Sequence, residues 1–271
     1  MTSTHLERIV AGVREDLEAR KAATPFLDVV ARARANPSRR DIRAGLAGGP
    51  GIIAEIKRAS PSRGWIRRDL DAAAAARGYA QAGACAVSVL TEGRCFGGSL
   101  ADLEAASRAC GAIPVLRKDF VLDEYMLAES RAFGADLVLL MVSVLGGETA
   151  RMAAAARGYG LEPLVEVHDE AEMEVAAVSG AGLVGINNRD LVTLRVDLSV
   201  SERLLPLAPR GAVKVVESGI ATREDVARFR ALGADAFLVG EALVGSDDPE
   251  AAVRRLTGCG EPDSRRRKER T

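Results

Sequence analysis

Residues 51–62 read GIIAEIKRASPS, and the fold depends on how this stretch is understood. Gly51, Ile52, Ile53, Ala54 and Ile56 form the apolar, branched run expected of a strand buried on both faces. Glu55 and Lys57 interrupt it two positions apart, so on a strand they share one face. A charge on a buried strand needs a partner or a task. Arg58 to Gly64 then make a basic, turn-rich loop. Two readings stay open from the stretch alone: an ion pair closing a strand end, or an active-site strand feeding a substrate loop.

Downstream, one unit recurs: a helix pattern ending in glycine, a small residue, then an apolar strand. The joints read AGAC at 82–85, FGAD at 133–136, SGAG at 179–182 and LGAD at 232–235, where glycine suits a left-handed helix cap. Strands are expected at 51–57, 84–91, 113–118, 136–142, 162–167, 183–188, 213–217 and 236–240. Helices are expected near 69–82, 99–110, 123–133, 147–158, 169–178, 200–206, 222–231 and 248–256. Strand starts lie 21 to 33 residues apart, which is βαβ spacing. Eight strands alternating with eight helices predict a (β/α)₈ TIM barrel over residues 49–258. An open doubly wound sheet would want a GxGxxG turn after an early strand, and none follows one here.

Upstream, Leu6, Ile9, Val10, Val13 and Leu17 repeat at helical spacing, with Thr4 and Glu7 fitting a capping box. A second helix should follow Pro25 and end at Asn36 and Pro37. Residues 1–48 are therefore read as a helical extension packed on the barrel, too small to hold a core alone. Residues 259–271 form a polar, basic tail expected to be disordered. Its charge run suits an acidic partner or simply solvent.

Composition narrows the function. The 37 basic and 38 acidic residues leave a net charge of −1, and aromatics make up only 4%, which argues against nucleic-acid binding. No apolar run reaches the ~18 residues of a membrane span. Cys85, Cys95, Cys110 and Cys259 form no CxxC pair and have no nearby histidine at ligand spacing, so they read as reduced thiols of a cytoplasmic protein. His5 falls in the first helix and His168 just past Glu166, neither placed for a metal. His168 reads as a loop residue.

In a barrel of this kind the reacting face lies at the C-terminal ends of the strands. Polar groups gather there: Glu55, Lys57 and Ser60 on strand 1, Lys118 on strand 3, Glu166 on strand 5, Asn187 and Arg189 on strand 6. Strand 7 adds Glu217, Ser218 and Gly219, and strand 8 adds Gly240 and Glu241. Such groups at one end of six strands exceed what solvation explains. Lysine beside glutamate in a partly dry pocket suits proton transfer. The turns after strands 7 and 8 sit where these barrels commonly hold phosphate, which points to a small phosphorylated substrate.

The segments AEIKRASPSRG (54–64), VLTEGRCFGGS (89–99), PVLRKDF (114–120), LVEVHDEAE (164–172), GINNRDL (185–191), ESGI (217–220) and LVGEAL (238–243) together resemble the indole-3-glycerol phosphate synthase family. The resemblance runs in order from about residue 5 to 256. It implies a barrel enzyme of tryptophan biosynthesis that closes 1-(2-carboxyphenylamino)-1-deoxyribulose 5-phosphate to indole-3-glycerol phosphate, losing CO₂ and water, without cofactor or metal. By position, Lys118 resembles the general acid and Glu166 the residue handling protons in dehydration. Lys57 would hold the substrate carboxylate and share acid duty, while Glu55 and Asn187 orient the groups. Glu217 and Ser218 would shape the seventh strand end. Ser60, Gly219, Gly240 and the loop start at Glu241 would hold phosphate, Phe96 and Phe120 would line the anthranilate pocket, and Arg189 would tie the carboxylates together. Many relatives carry serine at the position of Glu241 and some carry lysine at that of Ala59. A carboxylate there must point away from phosphate or pair with a cation. Trp65 is expected to pack on the rim. A monomer or weak homodimer is expected. A Schiff-base aldolase, a phosphosugar isomerase and a non-catalytic scaffold are the alternatives on the same barrel. The last would suit a chain lacking Lys118 or Glu166, and both are present.

Overall fold

The computed structural model describes residues 4–36, 40–47 and 49–258. Eight strands close into a barrel: β1 (Gly51–Ile56), β2 (Ala86–Leu90), β3 (Val115–Lys118), β4 (Leu137–Met141), β5 (Glu162–Val167), β6 (Leu183–Asn187), β7 (Val213–Glu217) and β8 (Ala236–Val239). Every ladder is parallel, and β8 returns to pair with β1. Apart from Lys118, Glu162 and Lys214, every strand residue is buried, which is why these runs lack the alternating polarity of half-exposed strands. The letters GAGLVG at 180–185 fit the dinucleotide pattern, but they lead into β6 instead of following a strand.

Long helices follow the strands much as the periodicity predicts, among them Ala72–Gln81, Leu100–Ala109, Glu124–Ala132, Thr149–Gly158, Glu170–Val178, Arg223–Ala231 and Pro249–Thr257. Side chains of Asp71, Ser99, Asp123, Asp169, Thr222 and Asp248 accept hydrogen bonds from first-turn N–H groups and fix where helices start. Gly83, Gly134, Gly180 and Gly233 all have positive φ and turn the chain from helix toward strand.

Ahead of the barrel, α1 (His5–Ala23) begins with the expected Thr4–Glu7 capping box, and α2 is Phe26–Ala35. Val13, Leu17, Val29 and Ala33 are buried against the barrel's outer layer. Arg20 pairs with Glu129 at 2.8 Å, Arg40 with Asp136 at 2.7 Å, and Arg94 with Asp16 at 2.6 Å. Pro37, the basic tail and Cys259 lie outside the described residues. Cys85, Cys95 and Cys110 are free thiols. No described helix is long and apolar enough to cross a membrane.

Three elements differ from the expectation. The loop after β1 folds into a small antiparallel hairpin, Ala59–Ser60 against Gly64–Trp65. Short helices, Val142–Leu145 and Glu241–Val244, follow β4 and β8 directly. All three are too short to leave a periodic signature.

Candidate active site

Period-two alternation sends every second strand residue into the barrel, and register decides which of them share a level. Leu90 lies beside Lys118, Met141 beside Glu166, Glu166 beside Gly185, and Asn187 beside Glu217. Glu55, Lys118, Glu166, Asn187 and Glu217 thereby line one cavity of about 450 Å³ at the C-terminal mouth, with Leu90 and Met141 as apolar wall. Two glycines make room. A Cβ on Gly185 would collide with the Glu217 carboxyl, and one on Gly240 with Glu55.

The charges form two groups. Lys118 Nζ donates to Glu166 Oε2 at 2.9 Å and stands 3.2 Å from Glu217 Oε2. Lys57 Nζ lies 2.8 Å from Glu55 Oε1. Burial favours a neutral Lys118, but the charges of Glu166, Glu217 and Glu55 outweigh it and raise the ammonium above the ordinary lysine value. Burial also works against an ionised Glu166, yet Lys118, His168 and a hydrogen bond from Asn187 hold it well below the usual carboxylate range. Glu217 goes the other way. Burial and the neighbouring Glu166 charge push it above that range, against the pull of Lys118. Neither of its oxygens has a well-formed hydrogen bond among the described residues. One ammonium shared by two buried carboxyls thus draws Glu166 down and leaves Glu217 raised, the direction of separation that sets a base apart from an acid.

Phe96 and Phe120, tilted against each other with ring centroids 6.2 Å apart, also line the cavity. Ser218, Gly219, Gly240 and Glu241 line it from the ends of β7 and β8. Ser218 holds a left-handed backbone at φ 66°, uncommon for serine, and its carbonyl accepts a 3.0 Å hydrogen bond from Asn188 Nδ2. Arg189 does not tie Glu166 or Glu217 together. Its Nη2 donates to Glu241 Oε1 at 2.8 Å and its Nη1 to the Leu194 carbonyl, because its loop turns back toward β8. Glu241 is thus paired with a cation, as a carboxylate in this place requires. Ser60 lines a side cavity of about 80 Å³ with His5, Leu6 and Ile9 of α1, and is not in the main lining. Trp65 packs on the rim beside Gly97 and under Arg68, 4.3 Å from its ring centroid.

Residues 6–256 match the family model described as indole-3-glycerol phosphate synthase. The chain belongs to the indole-3-glycerol phosphate synthase family. It is 52% identical over 255 residues to the indole-3-glycerol phosphate synthase of a Nocardioides species, covering 93% of this chain and 98% of that one. It is 48% identical over 257 residues to that of Streptomyces griseus, covering 94% and 95%. Among solved structures, a mutant tryptophan synthase alpha-subunit from Pyrococcus furiosus superposes with a TM-score of 0.60 at 14% identity, covering 78% of this chain and 99% of that one. At that identity the likeness speaks for the barrel alone.

Within this synthase-family barrel, sequence reasoning missed His168, Arg117 and Arg63, the last of which lines the cavity from the hairpin after β1. His168 is not merely in a loop: its Nδ1 lies 3.0 Å from Glu172 Oε2 and its Nε2 3.5 Å from Glu166 Oε1. Burial lowers its basicity, but the hydrogen bond to Glu172 and the charges of Glu166, Glu172 and Glu217 raise it above the ordinary histidine value. The two-residue offset from Glu166 was the available signal. Arg117 is fully buried on the outer side of β3. It donates to Thr91 Oγ1 at 3.0 Å, Asp119 Oδ2 at 2.9 Å and the Met126 carbonyl at 3.0 Å. That bracing fixes the backbone on both sides of Lys118.

Proposed function

We propose that this barrel mouth performs its family's reaction, ring closure of 1-(2-carboxyphenylamino)-1-deoxyribulose 5-phosphate with loss of CO₂ and water. The enzyme is a carboxy-lyase, and its product lies on the route to tryptophan. The observation that carries the assignment of roles is Lys118 Nζ held 2.9 Å from Glu166 and 3.2 Å from Glu217, two buried carboxyls shifted in opposite directions.

The substrate has an apolar ring at one end and a phosphate at the other, and the cavity offers Phe96 and Phe120 for the ring and the ends of β7 and β8 for the phosphate. The ring carbon bearing the carboxylate attacks the ribulose carbonyl, and Lys118 gives that oxygen its proton. Breaking the bond to CO₂ returns an electron pair to the ring and restores aromaticity. Glu166 takes the proton lost in dehydration, while the leaving hydroxyl departs as water with a proton from the lysine and glutamate groups. Lys57, paired with Glu55 at 2.8 Å, grips the substrate carboxylate. Asn187 orients Glu166 through its hydrogen bond.

A Schiff-base mechanism fits less well. It needs a neutral amine, and Lys118 is held as an ammonium. Incubating the protein with the carboxyphenylamino-deoxyribulose phosphate should produce indole absorbance and fluorescence. Substrate that stays unconverted, or a lysine adduct trapped by borohydride, would overturn the assignment.

A further inference from the structure

The phosphate side of the cavity carries a carboxylate whose two oxygens are both engaged by guanidinium groups from other loops. Glu241 Oε1 accepts from Arg189 Nη2 at 2.8 Å, and Glu241 Oε2 lies 3.4 Å from Arg63 Nε. Arg63 comes from the hairpin after β1 and Arg189 from the loop after β6, while Glu241 directly follows Gly240 at the end of β8. All three side chains line the same cavity as Gly219 and Gly240. Lys57 stands close by: a Cβ on Gly240 would lie 3.1 Å from its Nζ, but that charge is already matched by Glu55.

A carboxylate bridging two guanidiniums presents them with the same planar pair of acceptor oxygens that two oxygens of a phosphate would offer. We propose that Glu241 is a specificity-determining residue that acts as a resident anion, occupying Arg63 and Arg189 so that the substrate's phosphate must compete with it. The proposal rests on the placement of phosphate at the ends of β7 and β8. Without Glu241 the two arginines would offer two unmatched positive charges. With it they offer one. The carboxylate therefore weakens capture of any phosphorylated ligand and returns to the arginines when the product's phosphate leaves. It also ties the hairpin and the β6 loop to β8, so exchange of one anion for the other loosens or re-forms a link across the mouth.

The probe is inorganic phosphate, scored as a competitive inhibitor of the full-length enzyme at constant ionic strength held with chloride. Glu241→Gln keeps the shape and removes the charge, and Glu241→Ala guards against an amide that adopts a new pairing. In both, the inhibition constant for phosphate should fall about two- to tenfold, the range for removing one partly screened charge beside a doubly charged ligand. Arg63→Gln should weaken phosphate more in the Glu241→Gln background than in the parent, because only there is Arg63 unengaged. An inhibition constant that is unchanged or raised in both Glu241 variants overturns the proposal, as does strict additivity of the Arg63 and Glu241 effects. If phosphate inhibits the parent no better than chloride, the phosphate placement itself fails and the proposal falls with it. Tight phosphate inhibition that ignores Glu241 refutes the resident anion alone.

Discussion

Replacing Lys118 with methionine tests the site most directly, because it removes one ammonium from between two buried carboxyls while keeping most of the volume. Two losses follow. Chemistry loses its general acid, a contribution of roughly 10²–10⁴-fold, or about 3–5 kcal/mol of barrier. The phosphate and anthranilate contacts remain, so KM should change much less than kcat. Stability falls as well. Breaking a buried pair costs about 3–5 kcal/mol when the stranded charge stays. Glu166 escapes part of this by taking up a proton. A buried carboxyl titrating about 3 units above its ordinary value still costs about 4 kcal/mol once the solution is more basic than that. For a chain of this size, that is about 8–16 °C in Tm.

The pH dependence carries the sign. In the parent, Glu166 is held below the ordinary value, so its stabilisation is full above that value and fades as pH falls below it. In the variant its folded pKa lies above the ordinary value, so the deficit is already present near pH 5, where the parent's stabilisation is lost, and grows further toward pH 8–9. The assay is single-turnover indole fluorescence together with thermal melts at three pH values. Turnover within about tenfold of the parent would be too fast for a lost general acid and would transfer the role to Lys57. A melting deficit independent of pH would refute the shared-ammonium account.

Glu217→Gln imitates the protonated acid. Glu217 titrates above the ordinary value, so its contribution to stability is full below that value and lost as pH rises through the raised one. The Tm of the variant should therefore improve on the parent as pH goes from 5 to 9, and a gap that stays constant would contradict a protonated Glu217. Lys57→Met should raise KM along with lowering kcat, since it removes the grip on the substrate carboxylate and strands Glu55. An unchanged KM in initial-rate kinetics would count against that role. His168→Gln should cost more stability at pH 5.5 than at pH 8.5, because a histidine titrating above its ordinary value stabilises most when protonated. Equal losses in chemical denaturation at both pH values would show that only its packing matters.

The barrel was legible because the strands are short, mostly apolar runs and most of the barrel's long helices end at a glycine. The ring of site residues was legible for a related reason: a charge at the end of a buried run has few places to go but the mouth. Pairing was harder to see. Lys57 and Glu55 are near in sequence and pair as expected, whereas Lys118 joins Glu166 and Glu217 across 48 and 99 positions (166 − 118 and 217 − 118). No local pattern encodes such contacts. Arg117 and Lys118 are adjacent cations with opposite fates, since alternation sends one into the helix layer and the other into the cavity. Arg189 was misjudged because its partner depends on how the 188–197 loop folds back, with Asp197 N donating to the Asn188 carbonyl at 2.9 Å.

The closed ladder bears on how such a site can change over generations. Glu55, Lys118, Glu166, Asn187 and Glu217 each stand on a different strand, and their spacing is set by backbone pairing that runs round the whole ring without an edge. Phe96, Phe120, Arg63, Arg189 and Glu241 all sit beyond the strand ends, in segments that no barrel ladder holds. Substitutions or insertions there can alter which molecule is admitted without shifting the proton donors and acceptors beneath. Inheritance can thus revise the clientele and the chemistry separately, and a library confined to those five outer positions would sample new substrates on an unaltered acid–base platform.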